Sequence, residues 1–124
     1  MCRWGGHGTL LLVDDEQLVR GAIRQVLEDD GYTVVEAASA SEARDALDRA
    51  GREIRLVILD QSMPAESGLA AMPSIRARTS APVVLFTGLR PEGVPEDVVL
   101  LEKPARPGEI RRVVRELLRE KRSP

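Results

Sequence analysis

Aromatic side chains are nearly absent from this 124-residue sequence, which has one Trp, one Tyr and one Phe. So few rings exclude a stacking platform for single-stranded nucleic acid, and no nucleic-acid recognition motif is present. Net charge is also small, −2 at pH 7, so no strong field draws the chain to polyanions or to an anionic membrane surface. Cys2 is the only cysteine, which excludes an internal disulfide and a cysteine-cluster metal centre. The single histidine, His7, stands in a Gly-rich stretch. No apolar run approaches the roughly 18 residues that span a bilayer. Met1 to Gly8 lack the apolar segment of a secretory signal. The expectation is cytoplasmic residence, with no membrane insertion and no direct nucleic-acid binding.

What the chain does have is four short apolar runs, each ending in a residue able to do chemistry. Thr9 to Val13 runs into Asp14 and Asp15, and Leu56 to Leu59 runs into Asp60. Pro82 to Phe86 runs into Thr87, and Val98 to Leu101 passes through Glu102 into Lys103-Pro104. Short runs rich in Val, Ile and Leu, separated by helical patterns, read as buried parallel strands. Tyr32 to Glu36 supplies a further strand.

Between the strands, Val19, Ala22, Ile23, Val26 and Leu27 carry the spacing of an amphipathic helix, with Gly31 placed for a left-handed cap. Ser39 and Glu42 have capping-box spacing, followed by Ala43, Ala46, Leu47 and Ala50 on a second helix ending at Gly51. A third helix from about Gly68 to Arg78 contains Pro73, which predicts a kink or an irregular first turn. Pro107 suits the first position of a last helix, with Ile110, Val113, Val114, Leu117 and Leu118 as its apolar stripe. From Gly88 to Asp97 two glycines and two prolines oppose a helix, so the fourth crossover is a loop with at most one helical turn.

This alternation predicts one α/β domain over residues 9–121, between a flexible tail at 1–8 and a short tail at 122–124. Its core is a doubly wound, five-stranded parallel sheet with right-handed crossovers and a fourth helix short or absent. Ligands bind outside the carboxyl ends of such strands, so Asp14, Asp15, Asp60, Thr87 and Lys103 should converge on one edge. Two unit charges about 4 Å apart repel by about 4 kcal/mol at an effective dielectric of 20. Three carboxylates there need a cation or a proton. Oxygen ligands without His or Cys favour a hard ion, Mg²⁺ or alternatively Mn²⁺. A carboxylate beside that ion can attack phosphorus, with a lysine ammonium neutralising the phosphoryl oxygens. Each group taken alone has a plainer reading, the Asp pair as a helix cap and Lys103 as a surface lysine. Four compatible strand ends in one chain favour the site.

These residues resemble the receiver domain of two-component response regulators. The resemblance covers Thr9 to about Glu120 and rests on Leu12-Val13-Asp14-Asp15-Glu16, Leu59-Asp60-Gln61-Ser62-Met63-Pro64 with Gly68, Thr87-Gly88, and Lys103-Pro104. It implies the flavodoxin-like strand order 2-1-3-4-5. It also implies that Asp60 accepts a phosphoryl group from a phosphohistidine on a sensor histidine kinase or a histidine phosphotransfer protein. By the same resemblance, Asp14, Asp15, Asp60 and the backbone carbonyl of Ser62 hold Mg²⁺, Lys103 pairs with the phosphate, and Thr87 swings toward it. The Lys103–Pro104 bond is expected cis. Such a protein catalyses its own phosphotransfer and dephosphorylation without being a conventional turnover enzyme, and it signals to a downstream protein or passes the phosphate on.

Three departures stand out. Leu100 occupies the position where the family often has an aromatic switch residue, Ala105 replaces the aromatic often found after Lys-Pro, and the fourth crossover is shortened. These motivate a second reading, a pseudo-receiver that binds partners independently of phosphorylation. The Gly5-Gly6-His7-Gly8-Thr9 start and the short crossover resemble receivers of hybrid histidine kinases. A flavodoxin-like electron carrier is disfavoured, because Asp14-Asp15-Glu16 stands where a phosphate-cradling loop would be needed.

Overall fold

A computed structural model describes residues 8–122, with side chains through residue 119. Cys2, His7 and nearly all of the expected N-terminal tail therefore lie outside the described residues, as do Ser123 and Pro124. The elements run β1 (Thr9–Val13), α1 (Gln17–Asp29), β2 (Thr33–Ala37), α2 (Ala40–Ala50), β3 (Ile54–Asp60), α3 (Gly68–Arg76), β4 (Val83–Thr87), β5 (Val99–Glu102) and α4 (Pro107–Arg122). The strands form one parallel sheet in the order β2-β1-β3-β4-β5. No helix among the described residues is long and apolar enough to cross a membrane.

Alternation along the strands sorts the core into two layers. Leu11, Val13, Val57, Leu59, Val83 and Leu85 meet Ala43, Ala46 and Leu47 of α2 and Ala71, Met72 and Ile75 of α3. Leu10, Leu12, Leu56, Ile58, Val84, Phe86 and Leu101 meet Ile23 and Leu27 of α1 and Ile110, Val114 and Leu118 of α4. Strands covered on both faces explain their near-continuous apolar sequences.

The helix ends follow their signals with small shifts. Ser39 caps α2 by accepting the Glu42 N–H at 3.1 Å, while Glu42 reaches back to the Ala38 N–H rather than to that of Ser39. Pro107 opens α4, and Glu109 accepts the Arg106 N–H at 2.9 Å. Gly31 has φ +94°, the left-handed conformation expected after α1. Gly51 closes α2 in right-handed geometry, and proximity demands it instead, since a Cβ there would stand 2.7 Å from the Leu47 carbonyl oxygen. Pro73 lies inside α3, which ends at Arg76, two residues earlier than the pattern suggested. Among the described residues there is no helix between β4 and β5, as the Gly and Pro content requires.

Candidate functional site

The rows of side chains that build the core also aim the polar groups. Asp14 continues the Leu10–Leu12 row, Asp60 the Leu56–Ile58 row, and Lys103 the Val99–Leu101 row, all on the α1/α4 side of the sheet. Register places Val13 opposite Leu59, so Asp14 and Asp60 leave neighbouring strands at the same height. Both are almost fully buried, at 0% and 1% exposure. Carboxylate oxygens of Asp14, Asp15 and Asp60 lie within 4.8 Å of one another, with Asp15 the solvent-facing member. At that separation each charged pair repels by about 3.5 kcal/mol at an effective dielectric of about 20.

One compensating charge is built in. Lys103 Nζ donates to Asp60 Oδ1 at 2.6 Å and lies 5.1 Å from the centre of the Phe86 ring. The Lys103 N–H is itself held by the Thr87 carbonyl at 2.8 Å, and the Lys103–Pro104 peptide is cis. Asp14 stays short of partners. Its Oδ1 accepts the Glu16 N–H at 2.9 Å, while Oδ2 is buried without any hydrogen bond. That first contact fixes the turn before α1, whose N-cap is Glu16 with no side-chain cap, so the Asp14 side chain belongs to the cluster and does not cap the helix. Burial above all lifts the Asp14 carboxyl above its ordinary value. The Glu16 hydrogen bond opposes this, and Asp60 and Asp15 add to it against the pull of Lys103.

An orphaned buried carboxylate oxygen beside two further carboxylates is the donor set of a hard cation. The residues present fit such an ion. Ser62 stands two residues beyond Asp60, exposed on the β3–α3 loop. Thr87 ends β4 almost fully buried, and its hydroxyl donates to the Leu89 carbonyl rather than to any member of the cluster. Gly68 allows α3 to start against this edge, because a Cβ there would meet the Asp60 carbonyl oxygen at 2.5 Å. Two clefts flank the cluster. One, of about 340 Å³, runs between α1 and the start of α4 with Lys103 and Glu16 on its lining. The other, of about 360 Å³, reaches from Asp15 to Met63 and Glu66.

A family profile described as the response regulator receiver domain matches residues 10–115. The chain belongs to that family. Its receiver fold is shared with the crystal structure of the receiver domain from the hybrid histidine kinase CckA, at 30% identity and a TM-score of 0.81, over 90% of this chain and 99% of that one. The chemotaxis protein CheY4 of Vibrio cholerae, 23% identical, shares the fold with a TM-score of 0.80 over 89% of this chain and 98% of its own. Protein PetR of Rhodobacter capsulatus is 36% identical over 78 residues, which are 63% of this chain and 32% of PetR. The sensor kinase CckA of Brucella abortus is 39% identical over 71 residues, 57% of this chain and 8% of that kinase. The receiver thus spans about a third of PetR and a far smaller share of the kinase.

Residues that sequence reasoning passed over also shape this receiver's site. Arg20 on α1 donates from Nη1 to the Asp14 carbonyl at 2.6 Å and from Nε to Glu36 Oε1 at 2.8 Å. Arg44 on α2 grips both Glu66 oxygens, at 3.0 and 3.2 Å, and so ties the β3–α3 loop to the α2/α3 layer. One signal was available, since Glu36 interrupts the apolar β2 strand and Arg20 and Arg24 sit four residues apart on the facing helix.

Proposed function

We propose that this receiver is a Mg²⁺-dependent phosphoacceptor of a two-component phosphorelay, with Asp60 taking the phosphoryl group. The observation that carries the reading is the Asp14–Asp15–Asp60 cluster around an unpartnered Asp14 oxygen, with the Lys103 ammonium already on Asp60. Asp14, Asp15, Asp60 and the Ser62 backbone carbonyl would hold the ion, Mn²⁺ being the alternative to Mg²⁺. When bound, the ion supplies neutralisation of carboxylate charge and of the charge on phosphoryl oxygens.

Everything else falls to the chain's own groups. An Asp60 oxygen attacks phosphorus in line, the bond from phosphorus to the donor nitrogen breaks, and the donor imidazole takes a proton from solvent. Lys103 exchanges its hold on Asp60 for one on the new phosphoryl oxygens. Thr87 leaves the Leu89 carbonyl and donates to the same group. That exchange carries the signal into the loop between β4 and β5. The donor is a sensor histidine kinase or a histidine phosphotransfer protein, and the output is binding of a downstream protein or onward transfer, in the cytoplasm.

Incubation with acetyl phosphate and Mg²⁺, followed by intact mass, tests the reading. A gain of one phosphoryl group that requires the ion and disappears in Asp60→Asn is expected. No gain, or a gain surviving Asp60→Asn, overturns it.

A further inference from the structure

Asp14 is held at every polar atom but one. Its N–H donates to the Ala37 carbonyl on β2 at 3.0 Å, its carbonyl accepts from Arg20 Nη1 at 2.6 Å, and Oδ1 accepts from the Glu16 N–H at 2.9 Å. Only Oδ2 is left, buried and facing no hydrogen-bond donor. Arg20 is itself aimed. Its Nε donates to Glu36 Oε1 at 2.8 Å, and Arg24 takes the other Glu36 oxygen. The Arg20 side chain is 15% exposed and that of Glu36 27%, so this is a largely covered network rather than a loose surface pair.

The position of the Asp14 carbonyl explains why a guanidinium is needed. Pairing between β1 and β2 ends at Val13 and Ala37, so the Asp14 carbonyl lies past the ladder. It also precedes the first turn of α1, which begins at Gln17. No backbone donor reaches it, and Arg20 takes that role. The same short segment carries Asp14 and Asp15, whose charges repel each other and Asp60. Freed from Arg20, the segment can relieve that repulsion by drawing the carboxylates apart. With Arg20 in place, β2 grips Asp14 twice, through the Ala37 carbonyl and through Glu36.

We infer that Arg20, oriented by Glu36, is a positioning residue that holds the Asp14–Asp15 segment at cation-binding separation from Asp60. The inference rests on the Mg²⁺ reading proposed above. Arg20 touches neither ion nor phosphoryl group. It acts through the Asp14 backbone, as groups behind metal ligands do when they fix a ligand's orientation.

Arg24 supplies the control. It bonds Glu28 and the same Glu36 but no atom of Asp14. Titration of Mg²⁺ into the wild-type chain and into Arg20→Ala, Arg20→Lys, Arg24→Ala and Glu36→Gln, followed by backbone amide shifts at Asp15, Glu16 and Gln61, measures each affinity. Thermal melts of the ion-free proteins run beside it. Arg20→Ala should weaken Mg²⁺ binding about tenfold or more, the scale of such supporting contacts. Arg20→Lys should recover part of the loss, and Glu36→Gln should fall between. Arg24→Ala should lower the melting temperature while leaving the affinity unchanged. Wild-type affinity in Arg20→Ala, or an equal loss in Arg24→Ala, overturns the inference. If Arg20→Ala does not fold, Glu36→Gln decides, and unchanged affinity there overturns it. A wild-type chain that binds no Mg²⁺ overturns the phosphoacceptor reading, and this inference with it.

Discussion

Lys103 and Asp60 are 43 residues apart in the chain and meet at 2.6 Å at the end of the sheet. The parallel register makes the meeting possible, because β3, β4 and β5 deliver their last residues to one edge. Asp60 is almost fully buried, whereas the Lys103 side chain keeps 26% exposure. Removing the ammonium leaves a buried carboxylate beside two others. Lys103→Met should therefore destabilise the ion-free protein by about 1–3 kcal/mol, the cost of stranding a charged acceptor at a partly solvated site. Urea unfolding with and without Mg²⁺ checks this, and the ion should stabilise the variant more than it does the wild type.

Asp14→Asn should have effects of opposite sign on stability and on ion binding. Burial raises the Asp14 carboxyl's pKa, so the charged form is held at a cost in the ion-free fold. An amide keeps the Oδ1 bond to Glu16 and removes one charge from the cluster. The ion-free variant should be more stable by about 1 kcal/mol, while its Mg²⁺ affinity falls at least about tenfold. Denaturant unfolding paired with Mg²⁺ titration measures both.

Much of this site is legible in the sequence because each strand's apolar run stops at the residue that reaches the edge. Asp14, Asp60 and Thr87 are placed this way by the ends of their runs, and Lys103 by standing two residues past the end of its own. The helix-free stretch from Gly88 to Asp97 is equally legible, since Gly93 sits at φ +82° where few other residues fit. Arg20 and Glu36 left only a faint signal, the acid breaking β2, and Arg44 and Glu66 were not legible. Charged residues on a helix face are usually solvated, and only the packing of α1 on β2, or of α2 beside the β3–α3 loop, turns them inward. Strand bounds differ at Tyr32, Pro82 and Val98, each left just outside its strand, and β3 begins at Ile54, two residues before the start of its apolar run at Leu56.

Gly68→Ala should be costly although alanine favours helices. The added Cβ would meet the Asp60 carbonyl oxygen at 2.5 Å and Leu85 Cδ1 at 2.9 Å. Backbone cannot give way as a flexible side chain can, so a loss of about 1–3 kcal/mol follows from overpacking. The start of α3 would have to shift away from Asp60, so phosphorylation by acetyl phosphate should slow as well. Thermal unfolding and a phosphorylation time course report the two effects.

Glu36 ties stability to pH. The Arg20 hydrogen bond, helped by Arg24 and opposed by burial, holds its carboxyl below the ordinary 4.5 of a glutamate. A carboxylate with a depressed folded pKa contributes stability that is present above its unfolded value and lost as pH falls through its folded value. Glu36→Gln should therefore lower stability near neutrality and flatten the acid side of the stability–pH curve below about pH 4.5. Unfolding free energies across that range test the sign.

The most direct measurement is site-resolved. After acetyl phosphate and Mg²⁺, borohydride reduction converts a phosphorylated aspartate to homoserine, and peptide mass mapping locates it. Homoserine at position 60, absent when Mg²⁺ is withheld, is the predicted result. Homoserine at position 14 or 15, or none at position 60 with the ion present, contradicts the assignment of Asp60 as the phosphoacceptor.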